Sequence, residues 1–166
     1  MKKIIRMLPL IMIISGIFGF IYETIFYRID LGYFVKRGTT FGPWVPIYAF
    51  GGLFIILFSY KFKDKPLFVF LINMLVTGLL EYLTGFILLK YFNIRLWDYN
   101  NEILNFLNIN GFVCLRSVLF FGLSSLLLIY VIVPFIDKIY NRKLEIISFC
   151  LFIILIIDMI IWRIYE

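Results

Sequence analysis

The sequence predicts an all-α, polytopic membrane protein: a transmembrane bundle of five helices with the amino terminus inside. Three observations predict it. Hydrophobic residues make up 63% of the 166 residues and the mean hydropathy is +1.02, whereas a soluble domain is about half apolar. The apolar residues fall into five runs, four of them of a length suited to a hydrocarbon core about 30 Å thick. The basic residues, behind a formal net charge of +6, gather in threes in short segments between those runs, as at a membrane surface. With no basic stripe or reading module, nucleic acid is not an expected partner. The expectation is a single integral membrane domain, multi-pass in the cell membrane, with the lipid bilayer as its surroundings.

The first helix covers about 8–29, behind a basic leader with Lys2, Lys3 and Arg6. The run is long and lacks an A-x-A-like cleavage site followed by a soluble chain, so it reads as a retained span rather than a signal peptide. Ser15, Gly19 and Glu23 recur at steps of four with Gly16 beside them, and small residues at that spacing let another helix approach closely. A polar connector, Asp30–Thr40, leads to FGPWVPIYAFGG, Phe41–Gly52. Gly42, Pro43 and Pro46 form a bent lead-in, because proline suits the first turn of a helix and not its interior. Trp44 and Tyr48 suit the headgroup zone. The second helix, about 46–60, is short. Either the lead-in dips into the bilayer or the membrane is thinned, and a dipping segment needs protein to cover its backbone.

After a tight basic turn, Lys61–Lys65, the third helix covers about 67–91. A loop, Phe92–Asn110, follows and carries Arg95, Trp97, Asp98 and Tyr99 close together. These residues make either an interfacial aromatic anchor with an Asp-initiated turn or a cap over a polar cavity. The fourth helix covers about 111–135, with Arg116 in its first two turns and Pro134 marking its end. The fifth covers about 144–165 and contains Asp158. No internal repeat is visible, so the inverted-repeat signature of many transporters is missing.

Orientation follows from where the cations lie. With the amino terminus inside, Lys2, Lys3, Arg6, Lys61, Lys63, Lys65, Lys138, Arg142 and Lys143 share three short inner segments. The other basic residues, Arg28, Lys36 and Arg37 among them, spread over longer outer segments mixed with acids, and short loops weigh most in setting orientation.

The residues that point to a site are polar ones inside apolar runs. Asn73, Thr77, Glu81 and Thr84 step by four, four and three along the third helix, which places them in one stripe. An acid at the centre of a lone span costs about 2.5–3.5 kcal/mol on insertion scales, so the stripe must face other helices or a wet cavity. At about 1.5 Å of rise per residue, Glu23, Glu81 and Asp158 reach about the same depth, with Arg116 arriving there from the outer end. Arg116 can fork to carboxylates. The cluster of Glu23, Asn73, Thr77, Glu81, Thr84 and Arg116 then either locks the helices together or lines a path for a polar or amphipathic substrate. Asp158 lies near an outer helix end, where it could snorkel beside Arg163.

Catalysis has little to work with. There is no histidine, the commonest general base and zinc ligand. Cys114 and Cys150 show neither metal-ligand nor disulfide spacing. No catalytic residue, cofactor or metal site is expected.

The ordered stretches Glu23, KRGTTFGPWVPIYAFGG (Lys36–Gly52), LLEYLTG (Leu79–Gly85), RLWDY (Arg95–Tyr99) and NGFVCLR (Asn110–Arg116) together resemble the ABC-transporter permease proteins of the CmpB type. The resemblance covers roughly the first 140 residues and none of the fifth helix. It implies an integral membrane protein acting as a permease component. The chain has no G-x-x-x-x-G-K-[ST] phosphate loop, so ATP hydrolysis would need a separate ATPase subunit. The inner turns offer little area beside the roughly 800 Å² per partner of a standard interface. Either a homo-oligomer pools that surface, or no ATPase docks. The alternatives are a structural or regulatory membrane protein without turnover, and a membrane-embedded enzyme acting on lipid or envelope substrates.

Overall fold

A computed structural model describes residues 2–36, 38 and 40–165. They form five helices, and the described residues contain no strand, only one isolated bridge between Ile109 and Val113. The helices are α1 (Lys2–Leu31), α2 (Pro46–Ser59), α3 (Pro66–Phe92), α4 (Leu115–Ile139) and α5 (Arg142–Tyr165). All but α2 are long and apolar enough to cross a membrane.

Local chemistry sets most of these bounds. The α1 helix extends back through the basic leader to Lys2, since lysine and arginine are good helix formers. It ends where Gly32 takes a φ of +80°, a left-handed cap open to glycine at no steric cost. Pro66 opens α3 at a position where its missing N–H is not needed. Asn93 ends α3 at a φ of 56°, its N–H and that of Ile94 returning to Leu89 and Leu88.

The α4 helix departs from expectation at both ends. It starts at Leu115, because Asn110 and Gly111, with φ of 56° and 75°, make a tight turn that the Ile109–Val113 bridge closes. The Ser117 hydroxyl then accepts from the Cys114 N–H at 3.2 Å. At the other end Pro134 does not terminate the helix. A π turn over Leu128–Ile132 widens the backbone just before it, and the helix resumes from Val133 to Ile139.

The chain divides into two compact units, Met1–Leu53 with Ile132–Glu166, and Phe54–Val131. In the first, α1 packs on α5 around Met12, Ile13, Trp44, Ala49 and Leu155. Trp44 is therefore a core residue and not a headgroup anchor. The small residues of α1 admit the neighbouring chain as their spacing implies. A Cβ on Gly19 would strike the Tyr48 ring, Gly52 sits against Ser15, and a Cβ on Gly16 would lie 3.1 Å from that of Trp44. At the end of this unit the Tyr140 hydroxyl donates to the Arg6 carbonyl at 2.5 Å. Burial, then Glu145, push the phenol above its usual range.

In the second unit α3 packs on α4. Here glycines again set the approach: a Cβ on Gly78 would lie 2.8 Å from Val118, and one on Gly122 would lie 2.7 Å from Phe70 and 2.8 Å from Met74. Replacing Gly122 with leucine should overpack this seam at a cost of about 1–3 kcal/mol. Thermal unfolding in detergent checks this; an unchanged midpoint would mean the seam is looser than described.

Candidate functional site

Two sites emerge, one in each unit. The first is built on the bent lead-in to α2. After Gly32 the chain doubles back along α1, and the Val45 N–H donates to the Gly16 carbonyl at 3.0 Å. Gly16 lies fifteen residues before the end of α1, about 22 Å down its axis. The segment therefore reaches the middle of the helix before Pro46 starts α2. Fourteen residues of α2 supply about 21 Å, less than the hydrocarbon thickness of about 30 Å.

Such a segment exposes backbone donors that helix geometry would have used. Asp158 takes them. Its Oδ1 accepts from the Phe41 N–H at 2.9 Å, and its Oδ2 accepts from the Gly42 N–H at 2.8 Å and from the Trp44 indole Nε1 at 2.9 Å. The Thr40 hydroxyl donates to the Trp44 carbonyl at 2.8 Å. Gly42 is the residue the bend requires, since a Cβ there would run into the Trp44 ring. Asp158 is 7% exposed, so it does not snorkel toward solvent; the Arg163 side chain lies outside the described residues. The sequence showed an acid deep in an apolar helix and a segment with unspent N–H groups, but not that the two meet.

The second site is built on α3. Asn73, Thr77 and Glu81 lie on its buried face, 0%, 1% and 4% exposed. Thr84 is only half-buried, and Gly85 takes the next buried step, against Phe112 and Trp97. Asn73 Nδ2 donates to Ser59 Oγ at 2.9 Å and to the Val69 carbonyl at 2.8 Å. The Thr77 hydroxyl donates to the Asn73 carbonyl at 2.5 Å.

Over Glu81 lies the loop between α3 and α4. The Tyr99 hydroxyl donates to Glu81 Oε1. The Arg116 guanidinium sits 5.2 Å from the Tyr99 ring centre, a cation–π distance, and pairs with Glu102 at 2.5 Å while donating to the Ile103 carbonyl at 2.9 Å. Because α4 begins at Leu115, Arg116 stands at its mouth and not several residues within. Its recorded acid partner is a loop residue, Glu102, which sequence reasoning passed over; a lone acid in an apolar loop stretch was the available signal. Glu23, the other expected member, lies half-buried on α1 in the first unit.

Arg95, Trp97 and Asp98 hold the loop's shape. Arg95 pairs with Asp98 at 2.8 Å and donates to the Asn110 carbonyl at 3.1 Å. Asp98 caps the turn Tyr99–Asn101 by accepting from the Asn100 N–H at 3.0 Å. The Trp97 indole donates to the Phe112 carbonyl at 3.0 Å. Gly111 completes it: a Cβ there would strike the Arg95 and Asp98 side chains. The Asp-initiated turn is present, and it delivers Tyr99 to Glu81.

Asp158→Asn and Trp44→Phe should each destabilise the protein, and together by less than their sum. A coupling energy of about 1.5–3 kcal/mol is expected for a hydrogen bond to a charged group. Thermal or denaturant unfolding of the four-member cycle measures it, and additivity within about 0.5 kcal/mol would contradict the Asp158–Trp44 contact.

No curated protein and no solved structure matches the chain. Residues 10–162 match the family described as "Putative ABC-transporter type IV", of the CmpB type. The match runs through α5, beyond the 140 or so residues in which the motifs were recognised, and so takes in Asp158. With its long apolar helices, the chain is a multi-pass membrane protein, and it belongs to the CmpB-type ABC-transporter family.

Proposed function

We propose that the chain is the permease-like, membrane-embedded component of an ABC-type transporter in the cell membrane, with its amino terminus on the cytoplasmic side. Glu81 is then the polar station on a path for a polar or amphipathic substrate. The observation that carries this reading, beside family membership, is a 4% exposed carboxylate in a membrane helix that accepts from a tyrosine on a loop. A buried acid whose partner is carried by a loop can exchange that partner. When the turn Tyr99–Asn101 lifts, the phenol leaves Glu81, and a substrate cation or donor takes its place. Arg95, Trp97 and Asp98 shape the lid, and Arg116 with Glu102 ties it to the mouth of α4.

Energy must come from elsewhere. The 166 residues contain no phosphate-binding loop, so a separate ATPase subunit supplies hydrolysis. The short turn at Lys61–Lys65 and the one before Arg142 are small beside roughly 800 Å² per partner, so docking draws on surface pooled in a homo-oligomer.

One observation favours a second reading. Arg116 is already neutralised by Glu102 at 2.5 Å, as in a cluster that only locks helices and loop together. The two readings part at Glu81→Gln, placed in the native gene. If Glu81 serves transport, the protein reaches the membrane at its normal level while the strain shows the growth defects of a deletion strain. Loss of the protein from the membrane supports the locking role. Normal level with normal growth removes Glu81 from function altogether.

A further inference from the structure

We propose that the trough between the first turns of α1 and the start of α5 is a binding site for one anionic phospholipid. Its polar end is a cavity of about 550 Å³ lined by Lys3, Arg6, Arg142 and Glu145, with Tyr140 and Asn141. Its other end, about 350 Å³, shares Arg6, Arg142 and Glu145 and continues over Ile5, Pro9, Ile146 and Phe149. Shared walls make the two ends one trough, basic at one end and apolar at the other.

Charge selects the headgroup. Three cations face one acid along the lining. The Arg142 guanidinium is 80% exposed and meets Glu145 only at 4.0 Å, so it keeps donors for a phosphate. Lys3 has a partner in Asp137 at 2.5 Å, yet its side chain remains 57% exposed. A zwitterionic headgroup brings its own ammonium into this positive field; an anionic one does not.

Shape selects a lipid over a free ion or an acidic protein. Ile5, Ile146 and Phe149 are each more than half exposed. They continue from the basic end along helices that run into the hydrocarbon, which is where an acyl chain attached to a bound phosphate would lie. Inorganic phosphate would leave that end unused, and a protein surface would have to enter lipid to fill it. Basic pockets at the ends of membrane helices are suited to anionic headgroups.

The test is native mass spectrometry of the full-length protein, equilibrated with phosphatidylglycerol and phosphatidylcholine of matched chains. The wild type should retain phosphatidylglycerol in preference. Arg6→Gln with Arg142→Gln should weaken its retention roughly 25-fold, at about fivefold per basic side chain. Ile146→Trp, which fills the apolar end and changes no charge, should weaken it as well and guards against misfolding of the double variant. Equal retention of the two lipids by the wild type would overturn the proposal. So would inorganic phosphate binding as tightly as the lipid, or a double variant that keeps the lipid and loses a co-purifying ATPase instead.

Discussion

A bilayer offers no hydrogen-bond partners to a chain that leaves helical geometry inside it. That constraint organises the first unit. The lead-in to α2 runs back to mid-α1 before turning, and its donors must be met by protein. One carboxylate on α5 meets three of them, two from the main chain and one from an indole, while Gly16 takes the N–H of Val45. The position of Trp44 in the core and the close seating of Tyr48 on Gly19 follow from where that segment is held. Asp158 thus does for an irregular segment what successive carbonyls do for a helix.

The second unit uses a carboxylate differently. Asp158 accepts from groups fixed in a packed core. Glu81 accepts from Tyr99, whose position follows the loop, and the loop in turn rests on the ion pair of Arg116 and Glu102. Both acids are almost fully buried, and both resolve the cost of being so. One resolution ties down backbone; the other joins a membrane helix to the loop between α3 and α4.

Much of this was legible in the sequence. Hydropathy runs located five helices, and the step-of-four stripe identified Asn73, Thr77 and Glu81 as buried. The GPW segment announced an irregular start to α2, and the glycine spacing on α1 announced a close neighbour. What was not legible depended on tertiary partners. Nothing local distinguishes an Asp158 that snorkels from one that collects donors more than a hundred positions away. Hydropathy alone starts the fourth helix near Gly111; the Asn110–Gly111 turn delays it to Leu115, and the pairing of Arg116 with Glu102 depends on a loop whose path no local pattern gives. Pro134 reads as a stop by propensity, and only the π turn before it lets the helix go on.

The most direct measurement is amide hydrogen exchange across residues 38–45 in lipid nanodiscs. If Asp158 satisfies the lead-in, the Phe41 and Gly42 amides exchange slowly, at rates comparable to the flanking helices, and Asp158→Asn accelerates them. Rapid exchange of both amides in the wild type, at the rate of an open loop, would contradict the account.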